Sequence, residues 1–311
     1  MTLESEREVY CIGETVLDIL FSDDKPVAAK PGGSLMNAAV SLARAGIRVQ
    51  LISELFRDDP GRMILQFLAE NGVSTDYAMQ YNEGNTPIAL AFLDKAAQAN
   101  YTFYKFFPEE RMNRELPLPG PDAIVLFGSF YAISPEIRNT LSKFLENARI
   151  NNSILIYDPN FRKSHLKNLP GLMPLILENI SSSDIIRGSD EDFLHIFASK
   201  NPDNVFRQVQ ACGCNNLIYT RGGKDVIIFA DDQQFIVPVP PIEPVSTIGA
   251  GDSFNAGLIY GLIDRDITKK GKLQMDEISW RSLLKYGISF SQDVCLGFDN
   301  YITGNFAQSL K

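Results

Sequence analysis

The chain has 311 residues, 45% of them hydrophobic, which is long enough to bury one large α/β core. Its net charge of -9 argues against nucleic acid or an anionic membrane surface as a general partner, because both attract basic surfaces. The N-terminus carries no apolar signal core, and no stretch approaches the roughly 18 apolar residues of a membrane span. We therefore expect a cytoplasmic protein with four free thiols, no zinc site and no histidine chemistry.

Short runs of β-branched residues alternate along the chain with amphipathic stretches of helical period. The runs predict strands at 9–13, 49–53, 123–127, 154–157, 185–187, 217–220 and 226–229. The amphipathic stretches predict helices at 35–45, 60–70, 135–147, 172–180, 190–197, 205–211, 252–262 and 282–295. This alternation predicts an α/β fold with a doubly wound, mostly parallel sheet and helices on both faces. Residues 264–279 predict an exposed loop between the last two helices.

Two regions, 16–30 and 88–106, break this alternation, because they are strand-like and have no helix between their strands. Residues 88–93 and 101–106 flank the turn-like stretch DKAAQAN, which predicts a hairpin. Paired with each other, the two regions would form a small β lid, from about 14–31 and 86–108, over a cleft. We expect one domain that spans 1–311 and includes this lid.

The strongest local signal is the run Gly249, Ala250, Gly251 and Asp252, which opens an apolar helix. The glycines allow backbone N–H groups to turn toward one point, and a helix start adds unpaired N–H groups and a positive dipole. The run therefore predicts a phosphate-binding loop. No G-x-x-x-x-G-K-[ST] is present, and Phe254 stands where a dinucleotide-binding loop has its third glycine, so neither of these classes fits.

Asp252 has two interpretations on this local evidence, and they are compatible. Aspartate is a good helix N-cap, and it can also act as a general base beside a bound phosphoryl group. A carboxylate that faces a phosphate is repelled unless a metal ion or a proton transfer gives it a role. The pattern therefore favours a kinase over a simple anion-binding site.

The same run resembles the second signature of the ribokinase-like (PfkB) carbohydrate kinases, D-T-x-G-A-G-D. Further segments resemble other elements of that family in the expected order, from about residue 9 to residue 297. They are Gly13-Glu14 with Asp18, Gly32-Gly33-Ser34-Leu35-Met36-Asn37, Asp58-Asp59-Pro60-Gly61, Asp158-Pro159-Asn160-Phe161-Arg162, Ser189-Asp190-Glu191-Asp192 and Thr220-Arg221-Gly222-Gly223. The resemblance implies a doubly wound α/β domain with a β-sheet lid, and transfer of a phosphoryl group from ATP to a sugar.

The resemblance also implies a role for each matching residue. Asp252 would deprotonate the sugar hydroxyl, and Gly249, Ala250 and Gly251 would stabilise the transferring phosphoryl group. The residues that would bind the sugar are Asp18, Gly33, Asn37, Arg162 and, on the lid, Tyr104. Those that would lie along ATP are Ser189, Thr220, Gly222, Gly249 and Gly251. Asp192 would organise water around Mg²⁺.

Potassium activation is doubtful, because Ser246 replaces the signature aspartate that the family links to a monovalent-cation site. Residues 101–105, 158–162 and 189–191 are similar to the fructokinase branch. Where 2-keto-3-deoxygluconate kinases often carry arginine, this chain has Lys105, a poorer reader of a carboxylate, which favours a neutral ketohexose. A 2-keto-3-deoxygluconate kinase, a nucleoside kinase and a non-catalytic sensor remain alternatives. Exposed apolar lid residues such as Phe103 and Phe107 would allow a homodimer through the lid.

Overall fold

A computed structural model describes residues 7–93, 99–231 and 233–310. The strands in these residues are β1 (Val9–Ile12), β2 (Val16–Ser22), β3 (Lys25–Gly32), β4 (Val49–Ile52), β5 (Glu54–Phe56), β6 (Met79–Tyr81), β7 (Asn85–Leu93), β8 (Ala99–Phe106), β9 (Ile124–Gly128), β10 (Ile154–Asp158), β11 (Ile185–Ser189), β12 (Asn216–Thr220), β13 (Asp225–Ala230) and β14 (Gln233–Pro238).

The helices are α1 (Ser34–Arg44), α2 (Asp59–Glu70), α3 (Arg138–Ile150), α4 (Leu169–Ser182), α5 (Asp190–Phe197), α6 (Pro202–Ala211), α7 (Ala250–Asp264), α8 (Glu277–Cys295) and α9 (Gly304–Ser309). Several begin with a capping side chain. Asp58 accepts a hydrogen bond from the Gly61 N–H at the start of α2, and Asn201 accepts one from the Asn204 N–H at the start of α6. Across the described ranges, no helix combines the length and the apolar character that a membrane crossing requires.

The main sheet has eight strands in the order β14-β13-β12-β11-β10-β9-β1-β4. The six neighbouring strands β4, β1, β9, β10, β11 and β12 pair in parallel. Strands β13 and β14 add antiparallel pairs at one edge of the sheet. The predicted doubly wound, mostly parallel fold is therefore confirmed. The sequence predicted all of these strands except β14, which it indicated only as an extended, proline-rich stretch.

Each face of the main sheet packs against its own layer of helices. Val9 and Cys11 belong to a core with α1, α7 and α8, whereas their neighbours Tyr10 and Ile12 belong to a core with α3 and α4. Successive side chains of a strand point to opposite faces, so a continuous apolar run supplies both cores.

The lid is a second sheet of four strands in the order β3-β2-β7-β8. The β7–β8 pair is antiparallel, as the predicted hairpin requires, although the hairpin tip at 94–98 lies outside the described residues. The β2–β7 pair, which joins the two predicted lid regions, is parallel. The prediction of a separate lid sheet is confirmed.

The order of the main sheet reverses at β1, which lies between β4 and β9. In open α/β sheets, ligands bind beyond the carboxyl ends of the strands at such a switch point. The residues predicted to form the site follow these strand ends or belong to the adjoining lid and helices.

The predicted exposed loop at 264–279 is partly wrong. Lys269 is only 3% exposed, and its Nζ lies 2.7 Å from Oδ2 of Asp184. Leu273 is buried as well, and α8 already begins at Glu277. Lys269 is polar in sequence yet buried, because it pairs with the partly buried Asp184.

Candidate active site

Asp252 is the third residue of α7, because the helix begins at Ala250 and its N-cap is Gly249. The interpretation of Asp252 as the N-cap is therefore wrong. Its carboxylate instead accepts hydrogen bonds from Ser34 Oγ at 2.6 Å and from Asn37 Nδ2 at 2.9 Å, both at the start of α1. Burial raises the pKa of Asp252, and the two hydrogen bonds oppose this shift. The carboxylate thus faces polar groups and is not packed into hydrocarbon.

The loop that the sequence predicts to bind phosphate begins with a glycine in the left-handed region. Gly249 has a φ of 80°, and a Cβ there would lie 2.5 Å from the Asn300 carbonyl oxygen. Across the part of the chain that the structure describes, the N–H groups of Gly251 and Asp252 have no hydrogen-bond acceptor. Two free N–H groups at a helix N-terminus can bind an anion such as a phosphoryl group.

Arg187, which the sequence analysis missed, lies against this loop. A Cβ on Gly251 would be 2.7 Å from Arg187 Nη1, so the glycine makes room for the guanidinium. Arg187 is 8% exposed and pairs with Asp158 at 3.0 Å. Asn255 Nδ2 donates a hydrogen bond to the same Asp158 oxygen at 2.6 Å. The sequence signal for this network is Arg187 itself, a charged residue that follows two isoleucines in β11.

Asp18 lies on β2, on the lid side of the cleft. Burial raises the pKa of Asp18 to about 7; Arg162 opposes the shift, and Asp252 and Glu14 add to it. The Asp18 carboxylate lies against the loop that contains Gly33, because a Cβ on the neighbouring Gly32 would overlap Asp18 Oδ2. A Cβ on Gly33, which has a φ of 123°, would overlap the Glu14 carbonyl oxygen. The structure thus brings together Asp18, Gly33, Asn37, Arg162 and Asp252, as the resemblance implied.

The raised pKa of Asp18 makes a testable prediction about stability. As the pH rises from 3.8, the ordinary pKa, to about 7, the unfolded chain releases this proton and the folded protein keeps it, so stability falls. An asparagine side chain cannot ionise, so the melting temperature of the Asp18→Asn variant minus that of the wild type should increase between roughly pH 4 and pH 8. Ligand-free thermal unfolding measures this difference. A flat profile for Asp18→Asn would contradict the shift.

The structure corrects the assignment of Tyr104. Residues that pair directly across strands share a face, and Tyr104 pairs with Ile88, which pairs with Leu17. Asp18, the next residue after Leu17, points to the other face, and Tyr104 is 57% exposed. Phe103 shares the face of Asp18, and Lys105, two residues further on, lies on that face too.

Gly249 and Gly251 lie at the start of α7, and the other three residues predicted to contact ATP lie at or just after the ends of β11 and β12. Ser189 and Asp192 form a capping box at the start of α5, and Asp192 also accepts from the Phe161 N–H at 2.7 Å. The Thr220 hydroxyl accepts from Arg187 and donates to the Gly188 carbonyl. Gly222 has a φ of 60° in the turn that follows. Their contacts with ATP, and the water-mediated role of Asp192 toward Mg²⁺, stay predictions.

The carboxylate of Asp192 has little capacity left for a metal ion or its water. Oδ2 accepts two hydrogen bonds and Oδ1 accepts one, which leaves one lone pair on Oδ1 for a further contact. Within residues 7–93, 99–231 and 233–310, no three side chains of His, Cys, Asp or Glu are grouped to hold a metal ion. The four cysteines are free thiols.

Comparison with known proteins identifies the class. The sequence model of the family described as "pfkB family carbohydrate kinase" matches residues 6–274, so the chain belongs to this family. It is a sugar kinase, a phosphotransferase with an alcohol group as acceptor.

The individual relatives share less than a third of their residues with this chain. A fructokinase from Rhizobium leguminosarum bv. trifolii is 29% identical over 283 residues, which cover 88% of this chain and 86% of that protein. A 5-dehydro-2-deoxygluconokinase from Clostridium beijerinckii is 26% identical over 279 residues. The alignment covers 83% of this chain and 82% of that protein. The solved aminoimidazole riboside kinase from Salmonella enterica, complexed with aminoimidazole riboside and an ATP analog, superposes with a TM-score of 0.84 at 19% identity, covering 98% of both chains. That likeness establishes the fold.

Proposed function

We propose that this protein transfers the γ-phosphoryl group of ATP to a hydroxyl of a neutral ketohexose, with fructose as the first candidate. The observation that carries the proposal is the position of Asp252, which Ser34 and Asn37 hold beside two unpaired N–H groups at the start of α7. A base next to an anion site is the arrangement that phosphoryl transfer to an alcohol requires. The fructokinase relative supports the choice of sugar.

In the proposed reaction, Asp252 accepts the proton of the attacking hydroxyl. The N–H groups of Gly251 and Asp252 donate to the phosphoryl oxygens as charge develops on them, and the Arg187 guanidinium lies behind the loop. When bound with ATP, Mg²⁺ supplies neutralisation of the phosphate charge, and Asp192 is the residue proposed to hold its water. Potassium dependence stays doubtful, because Ser246 stands at the signature position.

On the sugar side, Asp18 accepts hydrogen bonds from hydroxyl groups, and Gly33 permits close approach of the substrate. The buried Oδ1 of Asn37 has no hydrogen-bond partner within the described part of the chain. It is a further acceptor for a sugar hydroxyl, while Nδ2 holds Asp252. Closure of the lid excludes water and limits wasteful hydrolysis of ATP.

A second candidate is a sugar acid. The relative from Clostridium beijerinckii is named for such a substrate, and Lys105 brings a positive charge to the cleft side of the lid. A location in the cytoplasm and a homodimer through the lid remain predictions as well. Of the residues expected to support that dimer, Phe103 lies on the cleft face and Phe107 is only partly exposed and packs on Phe56. The outer lid face instead exposes Tyr104 and Phe106, at 57% and 64%, which is compatible with such a dimer.

A substrate panel tests the proposal. Purified protein is assayed for ADP release with ATP and fructose, ribose, 2-keto-3-deoxygluconate or adenosine. We expect kcat/KM to be highest for fructose. Highest kcat/KM for the sugar acid or for adenosine would replace fructose with that substrate class. No ADP release with any sugar, despite binding measured by calorimetry, would favour a non-catalytic sensor.

A further inference from the structure

Glu14 and Lys105 form an ion pair between the main sheet and the lid. Glu14 follows the carboxyl end of β1, whereas Lys105 lies on β8. The Nζ of Lys105 is 2.6 Å from Oε2 of Glu14. The two side chains are only 18% and 23% exposed, respectively, so water and salt screen this pair less than an ordinary surface pair.

The pair lies in the same cleft as the groups proposed to bind the sugar. Glu14 and Asp18 lie against two successive glycines, because a Cβ on Gly33 would overlap the Glu14 carbonyl oxygen and a Cβ on Gly32 would overlap Asp18 Oδ2. Lys105 Nζ lies 5.1 Å and 5.9 Å from the ring centroids of Phe103 and Phe130. His165 stacks on Phe130, with ring centroids 4.1 Å apart. The ion pair and these rings therefore line the cleft beside Asp18.

The charge balance of this cleft disfavours an acidic substrate. Its acidic groups are Glu14, Asp18, Asp158 and Asp252, of which Asp18 has a pKa raised to about 7. The cations facing them are Lys105, paired with Glu14, Arg187, paired with Asp158, and Arg162. A substrate carboxylate would have to take Lys105 from Glu14, leaving a sheltered carboxylate without its partner. A neutral hydroxyl can instead donate to Glu14 and accept from Lys105 while the pair stays intact.

We propose that the Glu14–Lys105 ion pair determines acceptor specificity, admitting neutral polyhydroxy sugars and rejecting sugars that carry a carboxylate. This inference rests on the proposed sugar-kinase function and deepens it. Lys105 alone would attract an acid, and its pairing with Glu14 cancels that attraction. Discrimination of this kind works by making the wrong ligand leave a charge unpaired.

Two variants with opposite expectations test the proposal. Glu14→Gln releases Lys105, so the ratio of kcat/KM for fructose to that for 2-keto-3-deoxygluconate should fall by roughly 10- to 100-fold, as expected for one charged hydrogen bond. Lys105→Gln removes the cation and leaves Glu14, so the ratio should stay the same or rise. The exposed Glu277→Gln, whose partner Arg281 contacts β14, is the matched control and should leave the ratio unchanged.

Each outcome bears on one of the two proposals. Suppose that the wild type phosphorylates fructose and that Glu14→Gln lowers kcat/KM equally for fructose and 2-keto-3-deoxygluconate. The ion pair then only holds the lid against the main sheet, and the specificity inference is overturned. If the wild type prefers the acid, the inference and the choice of a neutral sugar both fail. If the wild type phosphorylates no sugar, the proposed function itself fails. Thermal unfolding of each variant establishes that a changed ratio belongs to folded protein.

Discussion

Replacing Asp252 with asparagine should lower kcat by roughly 10²- to 10⁴-fold, the usual contribution of a general base. Asparagine keeps the shape of the side chain and still accepts from Asn37, and the Ser34 hydroxyl can reverse its role and accept from the new amide. The loss should therefore appear in kcat, measured by ADP release with saturating fructose and ATP, while the calorimetric affinity for fructose is retained.

Stability separates this effect from misfolding. Burial raises the pKa of Asp252, so its ionised form destabilises the folded protein increasingly as the pH rises above the ordinary value for aspartate. Asp252→Asn removes that cost and should unfold at the same or a higher temperature at pH 8. Asp203→Asn, an exposed substitution of the same chemistry in the first turn of α6, should leave kcat unchanged and lower stability by no more than about 1 kcal/mol. A kcat for Asp252→Asn within threefold of the wild type would refute Asp252 as the base.

Replacing Gly249 with alanine should lower kcat about 10²- to 10³-fold, comparable to removing a donor from an anion site. Two effects combine at this position. Its φ of 80° costs an alanine about 1–2 kcal/mol. The new Cβ would also lie 2.5 Å from the Asn300 carbonyl oxygen, and backbone cannot rotate aside as a side chain can. The loop must shift, which would misplace the N–H groups of Gly251 and Asp252.

Gly271 provides the matched control for this substitution. Its φ of 77° is nearly the same as that of Gly249, but a Cβ there would meet no atom within 4 Å. Gly271→Ala should therefore show the backbone strain alone, as a smaller loss in the free energy of unfolding with unchanged kcat. Denaturant unfolding and the ADP assay measure the two quantities. Equal destabilisation by both substitutions, with activity retained in both, would contradict the role assigned to the Asn300 contact.

The sequence by itself determined the architecture and the position of the glycine-rich helix start that is proposed to bind phosphate. Strand and helix periods are local properties, so the alternation predicted the main sheet, and its interruptions predicted the lid. The run from Gly249 to Asp252 is contiguous, and a helix start supplies its anion-binding groups whatever surrounds it. For the same reason, the position of the glycines and of the acidic residue at a helix start could be predicted before any tertiary contact was known.

The tertiary structure alone decided which side chains meet. Ser34 and Asn37 bind Asp252 across more than 200 positions of sequence, and no local pattern encodes such a partner. Strand register put Tyr104 on the outer face of the lid, because a shift of one residue exchanges the two faces. The burial of Arg187 against Gly251 and the pairing of Glu14 with Lys105 likewise depend on how separate strands are brought together. Periodicity defines each element, whereas the charges in a cleft depend on how those elements pack.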